Sequence, residues 1–140
     1  MNFLAFFFIV GILIMVHELG HFLSALKLGV KVEKFSLGFG KIVFKYKRKD
    51  TEYFLGLIPF GGYVKLAGDN QEEYKGMPYE YLSQSVGRRF LIVFSGPFLN
   101  YLLGILLFWL IFFIGYPTLT TKIGKVLEGF GAEEAGLKKG

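Results

Sequence analysis

Two long apolar blocks dominate the pattern of hydrophobic and polar positions along the chain. The first covers about residues 2–26 and contains one formally charged side chain, Glu18, and the second covers about residues 90–116 and contains none. A helix of about 20 mostly apolar residues is long enough to cross a bilayer. The pattern therefore predicts two membrane-spanning helices, and Pro97 should kink or break the second one.

The segment between the blocks has a different pattern, with short β-prone runs punctuated by Gly and Pro over residues 30–66. The runs 42–46 and 51–57 flank a polar turn, which predicts a hairpin. Gly29 should cap the first helix at its C-terminal end. The sheet is either a small surface feature at the membrane face or an exposed edge that pairs with an extended substrate. The polar residues that follow, 67–80, predict a loop.

The last twenty residues begin a further module. Residues 122–127 have the pattern of a strand, and residues 132–136 that of one helical turn closed by glycine. Twenty residues cannot bury a core of their own. We therefore expect residues 1–120 to form one domain and residues 121–140 to be the incomplete start of another.

Composition supports the membrane interpretation. Hydrophobic residues make up 53% of the chain, aromatic residues 19% and charged residues only 19%, which is typical of integral membrane proteins. The first block lacks the charged leading region and small-residue cleavage site of a signal peptide. The chain has no cysteine, so His, Asp or Glu must hold any bound metal.

The distribution of charge predicts an orientation. Residues 27–89 contain twelve Lys or Arg and seven Asp or Glu. Positive residues close to span ends mark the cytoplasmic side, so we expect residues 27–89 there and both termini outside. The positive charges alternate with acidic residues and flank the spans, which argues against a nucleic-acid partner.

Candidate chemistry lies inside the first span, in His17-Glu18-Leu19-Gly20-His21. A carboxylate at the centre of a span costs roughly 2.5–3.5 kcal/mol. Residues four apart share one face of a helix, so His17 and His21 can bind one zinc ion. Glu18 borders that face and could take a proton from a zinc-activated water as general base.

Other interpretations of these polar residues stay open. The motif could be a buried hydrogen-bonded cluster, or a proton or metal relay in a transporter. Asn100, within the second block, could make a hydrogen bond between helices. A catalytic zinc takes three protein ligands, but Ser24 stands where a further helical ligand would fall. We expect the third ligand to lie outside this chain.

Several motifs together resemble the site-2 protease family of intramembrane zinc metalloproteases, and most of all its bacterial branch of the regulator-of-sigma-E protease type. The matching segments follow the family order over essentially the whole chain. They are the zinc helix 17–21, the Gly-x-Gly stretch 35–40, the Pro-x-Gly-Gly-Tyr-Val segment 59–65, the Gly-Pro-x-x-Asn motif 95–100 and a PDZ-like opening at 123–140.

The resemblance implies a fold and a function. The fold is a mainly α-helical transmembrane protein with a small membrane-associated β-hairpin and the truncated start of a PDZ-like domain. The function is zinc-dependent cleavage of single-span membrane proteins, such as anti-sigma factors, in a multi-pass protein of the bacterial inner membrane. The implied roles are catalysis for Glu18, zinc binding for His17 and His21, and substrate binding for Gly38, Phe39, Gly40 and Asn100.

One feature departs from the family pattern. The family's third zinc ligand is an Asp on a later span, and no such motif occurs here. An alternative is therefore a catalytically inactive relative that binds membrane segments without cutting them.

Overall fold

A computed structural model describes residues 3–115 and 123–138. The elements in chain order are helix α1 (Phe3–Lys27), strands β1 (Val32–Arg48) and β2 (Thr51–Leu66), helix α2 (Val86–Ile114) and the short helix α3 (Gly131–Glu134). The chain divides into two compact units, Met1–Leu107 and Phe108–Gly140. The larger unit contains the sheet, α1 and most of α2.

Helices α1 and α2 have the length and apolar composition needed to cross a membrane. Their most apolar stretches are almost entirely exposed, 6% buried in α1 and 0% in α2, so neither is the buried core helix of a soluble domain. The predicted helices are confirmed, although α2 begins four residues earlier than the predicted span. The predicted end residues Asn2 and Tyr116 lie outside the described part of the chain.

Pro97 lies inside α2, and the helix continues through it. A complete break at this position, one of the two predicted outcomes, is therefore wrong. Proline removes one backbone hydrogen bond from a helix, but helices in apolar surroundings tolerate it where neighbouring groups satisfy the freed carbonyl.

The C-terminal end of α1 is closed by a glycine cap, as predicted. Gly29 has φ 78°, a left-handed conformation that glycine adopts without steric cost. The Gly29 N–H donates to the Leu26 carbonyl at 3.2 Å, and the Val30 N–H donates to the Ala25 carbonyl at 2.9 Å. These two bonds form a Schellman motif, which turns the chain directly into β1.

Strands β1 and β2 form the predicted hairpin, with Ile42 opposite Gly56 and Tyr46 opposite Tyr53. The pairing goes further than the sequence indicated. The first half of β1 also pairs with both halves of β2, so that Phe35 lies opposite both Val64 and Tyr53. The first half of β1 is therefore the middle of the sheet, and the 62–66 segment lies along one edge.

The sheet lies alongside α1 over much of the helix. Near the C-terminal end of α1, seven buried residues form the core: Phe22, Ala25, Val30, Val32, Phe35, Leu66 and Ile92. At the other end of the sheet, called the glycine-rich end after Gly38, Gly40 and Gly61, the ring centroids of Phe7 and Phe60 are 4.7 Å apart. Phe7, Gly11, Gly38 and Gly61 line an apolar cavity of 180 Å³ there. The sheet therefore extends along α1 as far as Phe7, and the cytoplasmic placement of residues 27–89 stays a prediction.

Residues 67–80 consist of turns and loop, as predicted, and turns continue over residues 81–85 before α2 begins. The carboxylate of the buried residue Glu80 accepts hydrogen bonds from the Lys75 and Met77 N–H groups at 2.9 and 3.0 Å. Lys65, at the end of the sheet, pairs with Glu73 and Asp69. The hydrogen bond to Glu73, assisted by both negative charges, raises the pKa of Lys65 above its ordinary value.

The smaller unit is described over residues 123–138 beyond the end of α2. The predicted helical turn is confirmed by α3 and by Gly136, which follows it with φ 71°. The strand predicted over residues 122–127 is wrong for residues 123–127, which are not in a strand, because no described segment pairs with them. Lys122 and the predicted boundary at residues 120 and 121 lie outside the described residues, and the PDZ-like module stays a prediction.

Candidate metal and catalytic site

Helix α1 places the imidazoles of His17 and His21 together, as their spacing predicted. Their ring centroids are 4.7 Å apart, and the rings meet edge to face at 82°. The two side chains therefore occupy the same helix face one turn apart, which is the arrangement needed for two nitrogen ligands to one ion.

The orientation of His21 is fixed by α2. Its Nδ1 atom lies 2.8 Å from the backbone carbonyl oxygen of Ile92. A carbonyl oxygen can only accept a hydrogen bond, so Nδ1 must carry the proton. In the neutral ring, Nε2 then keeps its lone pair free to bind a metal. A backbone carbonyl in this position is a common partner of metal-binding histidines.

Small residues allow α1 and α2 to approach closely beside the histidines. A Cβ atom added at Gly20 would lie 2.4 Å from the Ser95 carbonyl oxygen, a distance that backbone atoms cannot tolerate. The hydroxyl oxygens of Ser24 and Ser95 are 2.7 Å apart and share a hydrogen bond. Small residues at a helix contact permit such close packing, and this contact brings Ile92 to His21.

Gly96 of α2 lies directly against both imidazoles. A Cβ atom added there would lie 2.6 Å from His21 Nε2 and 2.9 Å from His17 Cε1. Because Gly96 has no side chain, space remains beside His21 Nε2. This is the nitrogen left free when Nδ1 donates to the Ile92 carbonyl. This space and the two nitrogen donors fit a zinc ion.

Glu18 lies between the histidine pair and the sheet. A Cβ atom added at Gly62 would lie 3.4 Å from Glu18 Cγ and 2.5 Å from the Ser36 carbonyl oxygen. The backbone at Gly62 thus passes beside Glu18, and the absence of a side chain there permits its close approach to the Ser36 carbonyl. The structure therefore brings the predicted base next to one edge of the sheet.

The Gly38-Phe39-Gly40 stretch comes next along β1, directly after Leu37, which pairs with Gly62. Gly38 and Gly40 have φ 82° and 81°, so both bends in the strand require glycine. Phe39 between them pairs with Ile58 and is 49% exposed. Of this stretch, Gly38 lines the apolar cavity at the glycine-rich end of the sheet.

Asn100 lies one helical turn beyond Gly96 on α2. Its Oδ1 atom is buried and has no hydrogen-bond partner within the described part of the chain. A buried polar atom without a partner costs about 1–3 kcal/mol. Among the described residues, Oδ1 therefore does not form the hydrogen bond between helices that the sequence suggested. No hydrogen bond among these residues joins Asn100 to the histidines.

Comparison with known proteins identifies the family. A family model described as peptidase family M50 matches residues 5–134, nearly the whole chain. The chain belongs to peptidase family M50. The resemblance found in the motifs is therefore confirmed by an independent comparison.

Relatives of this M50 chain carry protease names. A protein of Vibrio cholerae that has a provisional name as a zinc metalloprotease is 45% identical over 99% of the chain, which covers 31% of that protein. The regulator of sigma-E protease RseP of Escherichia coli is 39% identical over 97% of the chain, covering 31% of that protein. A Campylobacter jejuni protein, also provisionally named a zinc metalloprotease, is 41% identical over 99% of the chain, which covers 38% of that protein. The M50 chain thus spans about a third of the length of these relatives.

The described residues of the M50 chain offer two candidate metal donors. Among residues 3–115 and 123–138, no group of three His, Cys, Asp or Glu side chains is placed to hold an ion. His17 and His21 therefore provide two donors, one short of the usual catalytic set. Asp69, the acid in the loop after β2, is committed to Lys65 and to the Leu66 N–H.

Sequence reasoning missed three contacts in this M50 site. These are the Ile92 carbonyl on His21, the contact of Gly96 with both rings, and the passage of Gly62 beside Glu18. Backbone atoms make the first contact, so no residue type could have signalled it. The glycines were visible as interruptions of apolar or β-prone runs, but their partners depend on how α1, α2 and the sheet pack.

Proposed function

We propose that the full-length protein is a zinc-dependent endopeptidase that cleaves single-span membrane proteins within or near the bilayer. The hydrogen bond from His21 to the Ile92 carbonyl carries the proposal, because it leaves Nε2 available beside His17. Membership of family M50 and the protease names of the relatives support the same activity. This chain would supply two of the metal ligands and the base.

His17 and His21 would hold the zinc ion through their imidazole nitrogens, with the third ligand supplied by a part of the protein outside this chain. When bound, zinc lowers the pKa of a water molecule to about 7 and polarises a carbonyl group. The chain contributes orientation and space. The Ile92 carbonyl fixes the His21 ring, and Gly96 keeps carbon atoms away from Nε2.

Glu18 would act as the general base. Its carboxylate accepts a proton from the attacking water and then donates it to the nitrogen of the leaving amine, which completes amide hydrolysis. The backbone at Gly62 lies beside this side chain on the sheet side.

The substrate would reach Glu18 as an extended strand, because a helix hides its amide bonds in its own hydrogen bonds. Within the described chain, the 62–66 segment has a pairing partner on one side only, the first half of β1. A strand added along it would pass beside Glu18. Gly38, Phe39 and Gly40 would contact the substrate near the apolar cavity, and the unpaired Asn100 Oδ1 would accept a backbone N–H from the unwound segment.

The proposed location is the bacterial inner membrane, with several spans in the full-length protein. Residues 27–89 would enter from the cytoplasmic side, with their charged parts in the cytoplasm, and the termini of this chain would lie on the outer side. Residues 121–140 would begin a PDZ-like module. Anti-sigma-factor-like proteins are the proposed substrates.

Replacement of Glu18 by Gln tests this function. The intact protein is reconstituted in lipid with a single-span substrate, and cleavage is followed by gel mobility. We expect Glu18→Gln to reduce the cleavage rate by about 10²–10⁴-fold while the protein keeps its zinc. Undiminished cleavage by Glu18→Gln would contradict the proposal.

A catalytically inactive relative is the second candidate, favoured by the two-donor metal site of the described residues. It predicts an intact protein that binds a single-span partner and releases no product, with or without added zinc. Zinc-dependent product formation by the unmodified protein excludes it.

A further inference from the structure

A large basic cavity lies beside the C-terminal end of α1 and the hairpin turn, away from the glycine-rich end of the sheet. Its volume is 590 Å³, and it is lined by the last turn of α1, its glycine cap and the hairpin turn between β1 and β2. The residues that matter for its chemistry are Lys31, Arg48, Lys49, Asp50, Tyr53 and Tyr79. None of them belongs to the metal site.

The cavity carries uncompensated positive charge. Lys31 is neutralised by Asp50, with Nζ 3.5 Å from Oδ1, and lies over the ring of Tyr79 at 5.6 Å. Arg48 and Lys49 form no ion pair with any residue described. Two free cations therefore line a cavity whose one acidic group is already paired.

The hairpin turn places a cation where another residue type fits the backbone better. Lys49 has φ 53°, and it is the one non-glycine residue with positive φ among those described. Asn and Gly adopt this conformation more readily. A lysine at this point is not explained by the turn, but it is explained by a need for charge at the mouth of the cavity.

The cavity also has an apolar side. Leu26, Val30 and Val32 belong to its lining, and they adjoin the end of a helix whose length and composition suit a membrane span. The partial negative charge at this helix end is reduced because the Gly29 and Val30 N–H groups bind two of the last carbonyls. An anion with an attached hydrocarbon chain matches both sides of the cavity.

We propose that this cavity binds the phosphate headgroup of an anionic phospholipid from the leaflet at the C-terminal end of α1. Arg48 and Lys49 contact the phosphate, the tyrosines surround the glycerol region, and the acyl chains pass along Leu26. The proposal rests on the proposed membrane-spanning role of α1, and basic pockets beside spans on the cytoplasmic side are typical headgroup sites. Such a lipid would hold the hairpin turn at the membrane surface.

Lipid binding to the intact protein tests the site. Native mass spectrometry from detergent micelles containing phosphatidylglycerol or phosphatidylcholine measures the affinity for each lipid. The test variant is Arg48→Gln with Lys49→Asn, since Asn tolerates the positive φ. The control is Lys41→Gln with Lys47→Gln, which removes the same charge from exposed strand positions outside the cavity.

We expect preferential binding of phosphatidylglycerol, with an affinity about 10–30-fold lower in the test variant and within about twofold of the original in the control. Equal losses in the two variants, or no loss in either, would overturn the site. Competition by 10 mM inorganic phosphate that abolishes lipid binding would show a site for free phosphate and would overturn the lipid assignment. Zinc content and the melting temperature are measured in parallel and should not change, so a failure here differs from a failure of the protease proposal.

Discussion

At the residue scale, the site depends on three backbone contacts that leave its side chains little freedom. The Ile92 carbonyl selects the tautomer of His21, Gly96 keeps space at Nε2, and Gly62 allows its strand to approach the Ser36 carbonyl beside Glu18. The shared helix face of His17 and His21 could be predicted from their spacing, whereas the metal-binding and catalytic roles of His17, Glu18 and His21 stay predictions. The backbone contacts could not be predicted, since they arise only when separate elements pack.

A methyl group at Gly96 should damage the metal site. Gly96→Ala puts a carbon atom 2.6 Å from His21 Nε2, so the imidazole must rotate away from the Ile92 carbonyl. We expect zinc affinity of the intact protein to fall at least about tenfold, in the range seen for lost partners of metal ligands, as measured by competition with a fluorescent chelator.

Gly104→Ala is the matched control, because it lies in the same helix and has no atom within 4 Å of an added Cβ. It should bind zinc normally and unfold at the same or a slightly higher temperature. Equal zinc affinity in the two variants would show that Gly96 does not protect the site.

At the element scale, the contact between α1 and α2 and the contact between α1 and the sheet are separate determinants of the site. The existence of α1, α2 and the hairpin followed from apolar length and β-prone runs. The second pairing of β1 with the far half of β2 did not, because long-range register has no local signal. The strand predicted over residues 122–127 is wrong over residues 123–127 because β propensity alone does not supply a pairing partner.

A larger residue at Gly20 should separate the two helices. The Cβ of Gly20→Ala would lie 2.4 Å from the Ser95 carbonyl oxygen, and overpacking of this kind costs about 1–3 kcal/mol. We expect lower thermal stability and loss of zinc together, because the shift of α2 also removes Ile92 from His21. Leu23→Ala, at a half-exposed position of the same helix, should keep its zinc. A Gly20→Ala protein with unchanged stability and zinc would contradict the contact.

A methyl group at Gly62 should separate catalysis from metal binding. Gly62→Ala conflicts with the Ser36 carbonyl and shifts the edge segment beside Glu18, while α1 and α2 are untouched. We expect a cleavage rate at least about tenfold lower with zinc content unchanged. Gly87→Ala, which has open space around it, should cleave normally. Parallel loss of zinc in Gly62→Ala would show that the sheet supports the metal site as well.

At the scale of the whole molecule, polarity changes along the sheet as it follows α1. The hairpin turn is charged, whereas Ile42, Val43 and Ile58 toward the glycine-rich end are apolar and half-exposed or more. The sequence showed both compositions, and its placement of residues 27–89 on the cytoplasmic side stays a prediction. The position of the glycine-rich end beside Phe7 became visible only from the packing of the sheet on α1.

Thiol labelling tests which parts of the sheet lie in water and which lie in the hydrocarbon region of the membrane. The chain contains no cysteine, so once any cysteine elsewhere in the intact protein is replaced, a single introduced thiol reports its own position. In the intact protein in lipid, Lys47→Cys should react rapidly with a membrane-impermeant maleimide, and Val43→Cys should react at least about tenfold more slowly until detergent is added, because hydrocarbon excludes the charged reagent. Equal rates in lipid would place the whole sheet in water.

The zinc content of the intact, folded protein tests the central claim most directly. Measured by inductively coupled plasma mass spectrometry, it should be about one zinc per molecule in the unmodified protein and in Glu18→Gln, and close to zero in His21→Ala. A folded protein without zinc, or a His21→Ala variant that keeps its full zinc content, would contradict the claim that His17 and His21 form the metal site.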